Sequence, residues 1–99
     1  MADLRLSAMA RRDLEAIRDA GVEEFGPDVA ERHLLGFEHH FGLLRQHPFA
    51  GQSRPEFALG IRSLSHRPHR LLYRVDGDTV LVVRIIHHRQ DVRGALRGS

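Results

Sequence analysis

The stretch from Arg70 to Asp91, RLLYRVDGDTVLVVRIIHHRQD, constrains the fold more than any other part of the chain. Two runs rich in Leu, Val and Ile flank Asp76-Gly77-Asp78, the pattern of two strands joined by a tight turn. Counting outward from that turn sets Val75 opposite Thr79 and Arg70 opposite Arg84. Like charges at directly paired positions cost stability, so this register predicts an anion or a covering partner on their face.

Strand parity divides the hairpin further. Leu71, Tyr73 and Val75 share one side with Leu81, Val83 and Ile85, an apolar surface suited to a core. The other side carries Arg70, Leu72 and Arg74 against Val80, Val82, Arg84 and Ile86. Antiparallel sheets often leave one side to solvent, but this mixture of arginine and aliphatic residues fits a partner-binding groove better.

Ninety-nine residues suffice for one modest core, so residues 1–99 are expected to form a single domain. No cysteine is present, which excludes disulfides. No apolar run approaches the roughly 20 residues a membrane helix needs, and no signal-peptide pattern opens the chain. A cytoplasmic protein with no membrane association is the expectation.

The net charge of +2 conceals an asymmetry. Residues 1–50 hold six arginines against nine carboxylates, whereas residues 51–99 hold nine arginines against four. The basic character therefore belongs to the predicted strands. All 15 basic residues are arginine, so no lysine can serve as base, nucleophile or phosphate clamp.

Upstream of the hairpin the signals are helical. Leu4 and Leu6 alternate around Arg5 as a short strand, and Ser7 stands where a helix cap belongs. Ala10, Leu14, Ile17 and Gly21 follow at helical spacing, with Arg11, Arg12, Asp13 and Glu15 assigned to other faces. Gly26-Pro27 marks a break, because glycine suits a helix end and proline a helix start. Ala30, Leu34, Phe37, Phe41 and Leu44 then form one stripe of a second helix, which Pro48 ends. Residues 48–60 read as a loop pinned by Phe49 or Phe57, and Ile61 to His66 as a further strand. The order strand, helix, helix, three strands predicts an α+β two-layer domain, a helical hairpin packed on a mostly antiparallel sheet. The segment after Asp91 is compatible with one helical turn or a short strand.

These elements, with LRLS, DLEAI, the FG-P break, LLYRV, VVRIIHHRQDV and AL in that order, resemble the ParE toxins of the RelE/ParE toxin–antitoxin superfamily. The most specific parts are Tyr73-Arg74-Val75 and Val83 through His87, followed by Arg89, Asp91, Val92 and Leu96. The resemblance implies a type II toxin that inhibits DNA gyrase and is neutralised by a ParD-like ribbon-helix-helix antitoxin. Contact with operator DNA would come only through that antitoxin. The expected antitoxin- or target-binding residues are Arg70, Leu72, Arg74, Val82, Arg84, Ile86, His88, Arg89 and Asp91. Aliphatic contact plus paired charge would receive an amphipathic acidic segment. Substituting Arg70 and Arg84 together should weaken antitoxin binding without harming the fold.

The alternative within the superfamily is a RelE-like ribosome-dependent mRNA endonuclease. Arg62, Arg70 and Arg84 could then stabilise phosphorane charge and His87 transfer a proton. The lysines of the RelE catalytic set are absent, and the parity of His87 with Val83 and Ile85 suggests a partly buried structural histidine. The preferred reading is non-enzymatic and needs no cofactor. Eight histidines invite a metal hypothesis, but adjacent histidines on a strand point to opposite faces and no cysteine accompanies them, so no metal site is expected. A plain nucleic-acid binder ranks last, for want of a stacking platform or recognition helix.

Overall fold

In the computed structural model, which describes residues 1–97, the chain runs β1 (Asp3–Leu6), α1 (Ala8–Phe25), α2 (Pro27–Gln46), β2 (Gln52–Ser53), β3 (Arg62–His66), β4 (His69–Asp76), β5 (Thr79–His87) and α3 (Val92–Arg97). One five-stranded sheet has the order β1-β5-β4-β3-β2. Only β1 runs parallel to its neighbour, β5. The α+β two-layer arrangement expected from the sequence is therefore present, with the short β2 and α3 added to it.

The helical hairpin forms where the local signals place it. The Ser7 hydroxyl accepts from the Ala10 N–H at 3.0 Å, capping α1. Gly26, at φ 87°, adopts a backbone conformation that other residues rarely tolerate, and Pro27 opens α2 immediately after it. At the crossing of the helices a Cβ on Gly21 would lie 3.3 Å from that of Ala30, so glycine lets them approach closely.

Ala10, Phe37, Phe41 and Leu44 are buried against Leu71, Tyr73, Val80, Val82 and Ile85 of the sheet, with Leu4, Leu6, Leu14, Ile17 and Leu34 around them. Full burial of side chains of this size is worth about 1.5–3 kcal/mol each, which makes this layer the main stabilising element. The hydroxyl of Tyr73 reaches across it to accept the Gly51 N–H at 2.8 Å, anchoring the start of the 48–60 loop. Phe57, and not the exposed Phe49, packs that loop onto the sheet.

The hairpin register differs from the count made on the sequence. The turn has two residues, Gly77-Asp78, with Asp76 opposite Thr79 and only Gly77 at positive φ (58°), as a type II′ turn requires. Beside the turn the pairing is thus offset by one residue, and Val80 and Val82 face the helices in place of Leu81 and Val83. A bulge then restores the expected faces: Tyr73 pairs with Val82, but Leu72 pairs with Arg84, so Val83 is extra. Beyond it Ile85 lies in the helix-facing core and Ile86 opposite, as the parity predicted. Arg70 pairs with Ile86 and Arg84 with Leu72, so the Arg70/Arg84 pair does not exist.

The second face of the sheet is also covered. Leu72, Val83 and Ile86 are buried with Ile61 and Ala95, beneath Phe57, Ala58, Val92 and Leu96. The carboxylate of Asp91 accepts the Gly94 N–H at 3.0 Å and its carbonyl accepts that of Ala95, starting α3. The mixed face thus becomes a small second core because the chain's own C-terminal helix lies on it.

Candidate interaction surface

Arg84 is the member of the arginine face most completely used by the fold. Its Nε and Nη2 donate to the Asp13 carboxylate at 2.8 and 2.9 Å, and its Nη1 donates to the Ala95 carbonyl at 2.9 Å. The same Asp13 oxygen accepts the Ile85 N–H, while the Ser7 hydroxyl donates to the Val83 carbonyl at 2.6 Å. These backbone groups lie just past Val82, where the pairing of β1 with β5 ends, so the start of α1 takes over as their partner. Hydrogen bonding to Asp13 raises the Arg84 pKa, against the opposing effect of burial. Arg84 therefore ties α1, β5 and α3 together and offers no free charge to a partner.

Arg70 has a different setting. Its Nη2 donates to His88 Nδ1 at 3.1 Å, its guanidinium lies 5.8 Å from the Phe57 ring centre, and its buried Nε has no hydrogen-bond partner. Because arginine is always the donor, His88 Nδ1 must be unprotonated, which leaves Nε2–H directed at Ser65 Oγ, 3.4 Å away. Desolvation, then Arg70 and Arg67, lowers the pKa of His88. Arg74, Arg89 and Asp91 are exposed. Leu72, Val82 and Ile86 are fully buried, Val82 in the helix-facing core, so these three lie beneath the surface and do not form it.

The residues of the nuclease alternative occupy separate environments. Arg62 donates to the carbonyls of Gly51 and Phe49 and covers the Phe49 ring at 5.2 Å. It sits opposite Tyr73, three positions along β4 from Arg70, or roughly 10 Å at strand spacing. Arg84 is engaged by Asp13. His87 is exposed at the strand end, contrary to the partial burial its parity suggested, and its Nδ1 accepts the Arg89 N–H at 3.1 Å. Among the described residues no group of three or more ligating side chains is placed to hold a metal ion.

Two features escaped the sequence reading. The helical stripe leaves Asp13 to another face, yet it lies three residues after Ala10 and four before Ile17, a spacing that puts it beside the buried stripe. The other is a shallow groove of about 290 Å³ on the outer side of the helical hairpin, where Leu34, Leu35 and Phe41 meet Glu15, Glu31 and Glu38. It gives the helical side an acidic, partly apolar character, opposite in sign to the sheet.

Comparison with known proteins agrees with this architecture. The family model described as ParE toxin of type II toxin–antitoxin system, parDE, matches residues 4–92. The chain is 39% identical over 88 residues to Toxin ParE1 of Mycobacterium tuberculosis, covering 88% of this chain and 90% of that protein. It is 31% identical over 84 residues to Toxin ParE3 of Caulobacter vibrioides, covering 85% and 84% of the two chains. Among solved structures, a chain of the chromosomal ParDE system from P. aeruginosa superposes with a TM-score of 0.77 at 29% identity, covering 88% of this chain and 96% of that one. A chain of the RelBE2 toxin–antitoxin complex of M. tuberculosis gives a TM-score of 0.61 at 31% identity, covering 87% and 96%. A ParE family match spanning nearly the whole chain, with the helical hairpin and sheet of solved ParDE and RelBE structures, means that this chain belongs to the ParE toxin family of type II toxin–antitoxin systems.

Proposed function

We propose that the protein is a cytoplasmic, single-domain toxin that inhibits DNA gyrase without being an enzyme itself, and that a ParD-type antitoxin neutralises it. The observation that carries this reading is the ParE family match over residues 4–92. The dispersal of Arg62, Arg70, Arg84 and His87 among separate partners supports a binding role over a catalytic one, since cleavage requires these groups around one phosphate. Among the described residues no helix is long and apolar enough to cross a membrane.

The antitoxin-binding surface is assigned to the rim formed by the exposed Arg74, Arg89 and Asp91 together with the half-buried Arg70 and His88. Leu72, Val82, Arg84 and Ile86 hold the strands and α3 beneath it. An acidic antitoxin segment would meet a rim whose charges are mostly positive, and operator DNA would be held by the antitoxin alone. The likeness to the RelBE2 toxin keeps a ribosome-dependent nuclease as the second reading, with Arg62, Arg70 and His87 as its catalytic candidates.

Induced expression in a bacterial host, followed by pulse labelling with thymidine and leucine, separates the readings. A gyrase inhibitor stops thymidine incorporation first, and coexpression of the cognate antitoxin restores it. Earlier loss of leucine incorporation would favour the nuclease.

A further inference from the structure

Five histidines line the seam between α2 and the strands beneath it. His33 and His40 come from α2, His66 and His69 flank the β3–β4 turn, and His87, at the end of β5, is paired with His69. His33 Nε2 lies 3.0 Å from His69 Nδ1, and His40 Nε2 lies 3.3 Å from His66 Nδ1. The His33 and His66 rings stack at 4.4 Å, and the His69 and His87 rings meet edge to face at 5.6 Å. A Cβ added at Gly36 would fall 2.2 Å from His66 Cε1, so this ring rests directly on the α2 backbone.

The protonation states in this network are restricted by its geometry. His66 Nε2 lies 2.9 Å from the His33 carbonyl, which can only accept, so Nε2 carries the hydrogen. In the neutral ring Nδ1 is then an acceptor, and His40 must donate to it. With one ring protonated, the neutral partner can still turn a lone pair to the shared N–H, but protons on both His40 and His66 would set two N–H groups against each other across 3.3 Å. The His33–His69 contact has the same requirement, one donor and one acceptor. Each contact thus exists only while at least one of its rings is neutral.

The surroundings offer little compensation for positive charge. The charged neighbours acting on His33, His40 and His69 are other histidines: His66 on His33; His66 and His39 on His40; His33, His87, His66 and His88 on His69. Arg67 stands in the β3–β4 turn, and the one carboxylate on the adjoining groove shared by His33, His69 and His87 is Glu24 of α1. Among the described residues no group of three or more ligating side chains is placed to hold a metal ion.

We propose that this histidine seam is a proton-operated latch, which holds α2 onto the β3–β4 hairpin at neutral pH and releases it in acid. Burial, then the neighbouring rings, lowers His33 and His40, and pushes His69 to about 4. A folded-state pKa below the unfolded one stabilises the fold above the ordinary histidine value. That contribution is lost as pH falls from about 6.5 towards 4.

The test is thermal unfolding and amide hydrogen exchange at pH 7.5 and 5.0, with exchange corrected for its intrinsic pH dependence. His33→Gln/His69→Gln and His40→Gln/His66→Gln variants serve as independent comparisons. On acidification the unmodified chain should lose about 5 °C or more in Tm, and protection along residues 33–40 and 64–69 should fall about tenfold while residues 80–85 keep theirs. Either folded variant should show half that pH response or less. An unchanged Tm at pH 5.0, or an equal response in the unmodified chain and a folded variant, would overturn the latch.

Discussion

Arg84 and Asp13 form a two-pronged ion pair, at 2.8 and 2.9 Å, between the middle of β5 and the second turn of α1, with both side chains largely buried. The pair stands beside the bulge, where Asp13 also accepts the Ile85 N–H. Asp13→Ala would leave a guanidinium and an amide uncompensated, and loss of one partner of such a pair costs about 3–5 kcal/mol. A urea denaturation midpoint should register that loss. Arg84→Met combined with Asp13→Leu should be less damaging than Asp13→Ala alone, because no unpaired charge remains.

This pair also revises the expectation for removing Arg70 and Arg84 together. Without a cross-strand Arg70/Arg84 repulsion to relieve, Arg84→Gln should destabilise the chain and detach α3 from the Ala95 carbonyl contact. Arg70→Gln and Arg74→Gln change the rim instead, at one half-buried and one exposed position. Together they should weaken antitoxin affinity about tenfold, as expected for loss of a few partly solvated charge contacts, while Tm stays within about 3 °C. Calorimetric titration with the antitoxin checks the first statement and a thermal melt the second.

One buried hydrogen bond anchors the start of the 48–60 loop. Tyr73→Phe removes the acceptor of the Gly51 N–H and should cost about 1–3 kcal/mol, the usual penalty for an orphaned buried amide. Gly51→Ala should be at least as harmful. A Cβ there would lie 2.6 Å from the Tyr73 hydroxyl and 2.7 Å from the Ser63 carbonyl. Denaturation midpoints of both variants provide the check.

The C-terminal helix protects the second core. Asp91→Ala should cost about 1 kcal/mol by loss of the cap. Truncation after Gln90 should go further, uncovering Leu72, Val83 and Ile86. Increased binding of a hydrophobic dye, with the far-ultraviolet spectrum largely retained, is the expected outcome of truncation.

The helical half of this fold was readable because its signals are local. Ser7, Gly26-Pro27 and the stripe from Ala30 to Leu44 each act within a few residues, and each occupies its expected place. The hairpin faces were less legible, since a two-residue turn in place of three moved Val80 and Val82 to the helix side. The bulge at Val83 then moved the pattern back. Nothing within the strand announces such a bulge, because its partners, Ser7 and Asp13, lie more than 70 residues away in sequence. The same distance hid the fate of Arg84. The histidine seam joins residues separated by 26 and 36 positions, so only the packing of α2 on the β3–β4 hairpin brings its rings together.

Purified DNA gyrase with relaxed plasmid and added toxin, run beside ribosomes translating a defined mRNA with the same toxin, tests the central claim most directly. A gyrase-directed toxin should cause loss of supercoiling or accumulation of cleaved plasmid, reversed by antitoxin, with the mRNA intact. Undisturbed gyrase together with mRNA cut on the ribosome would contradict it.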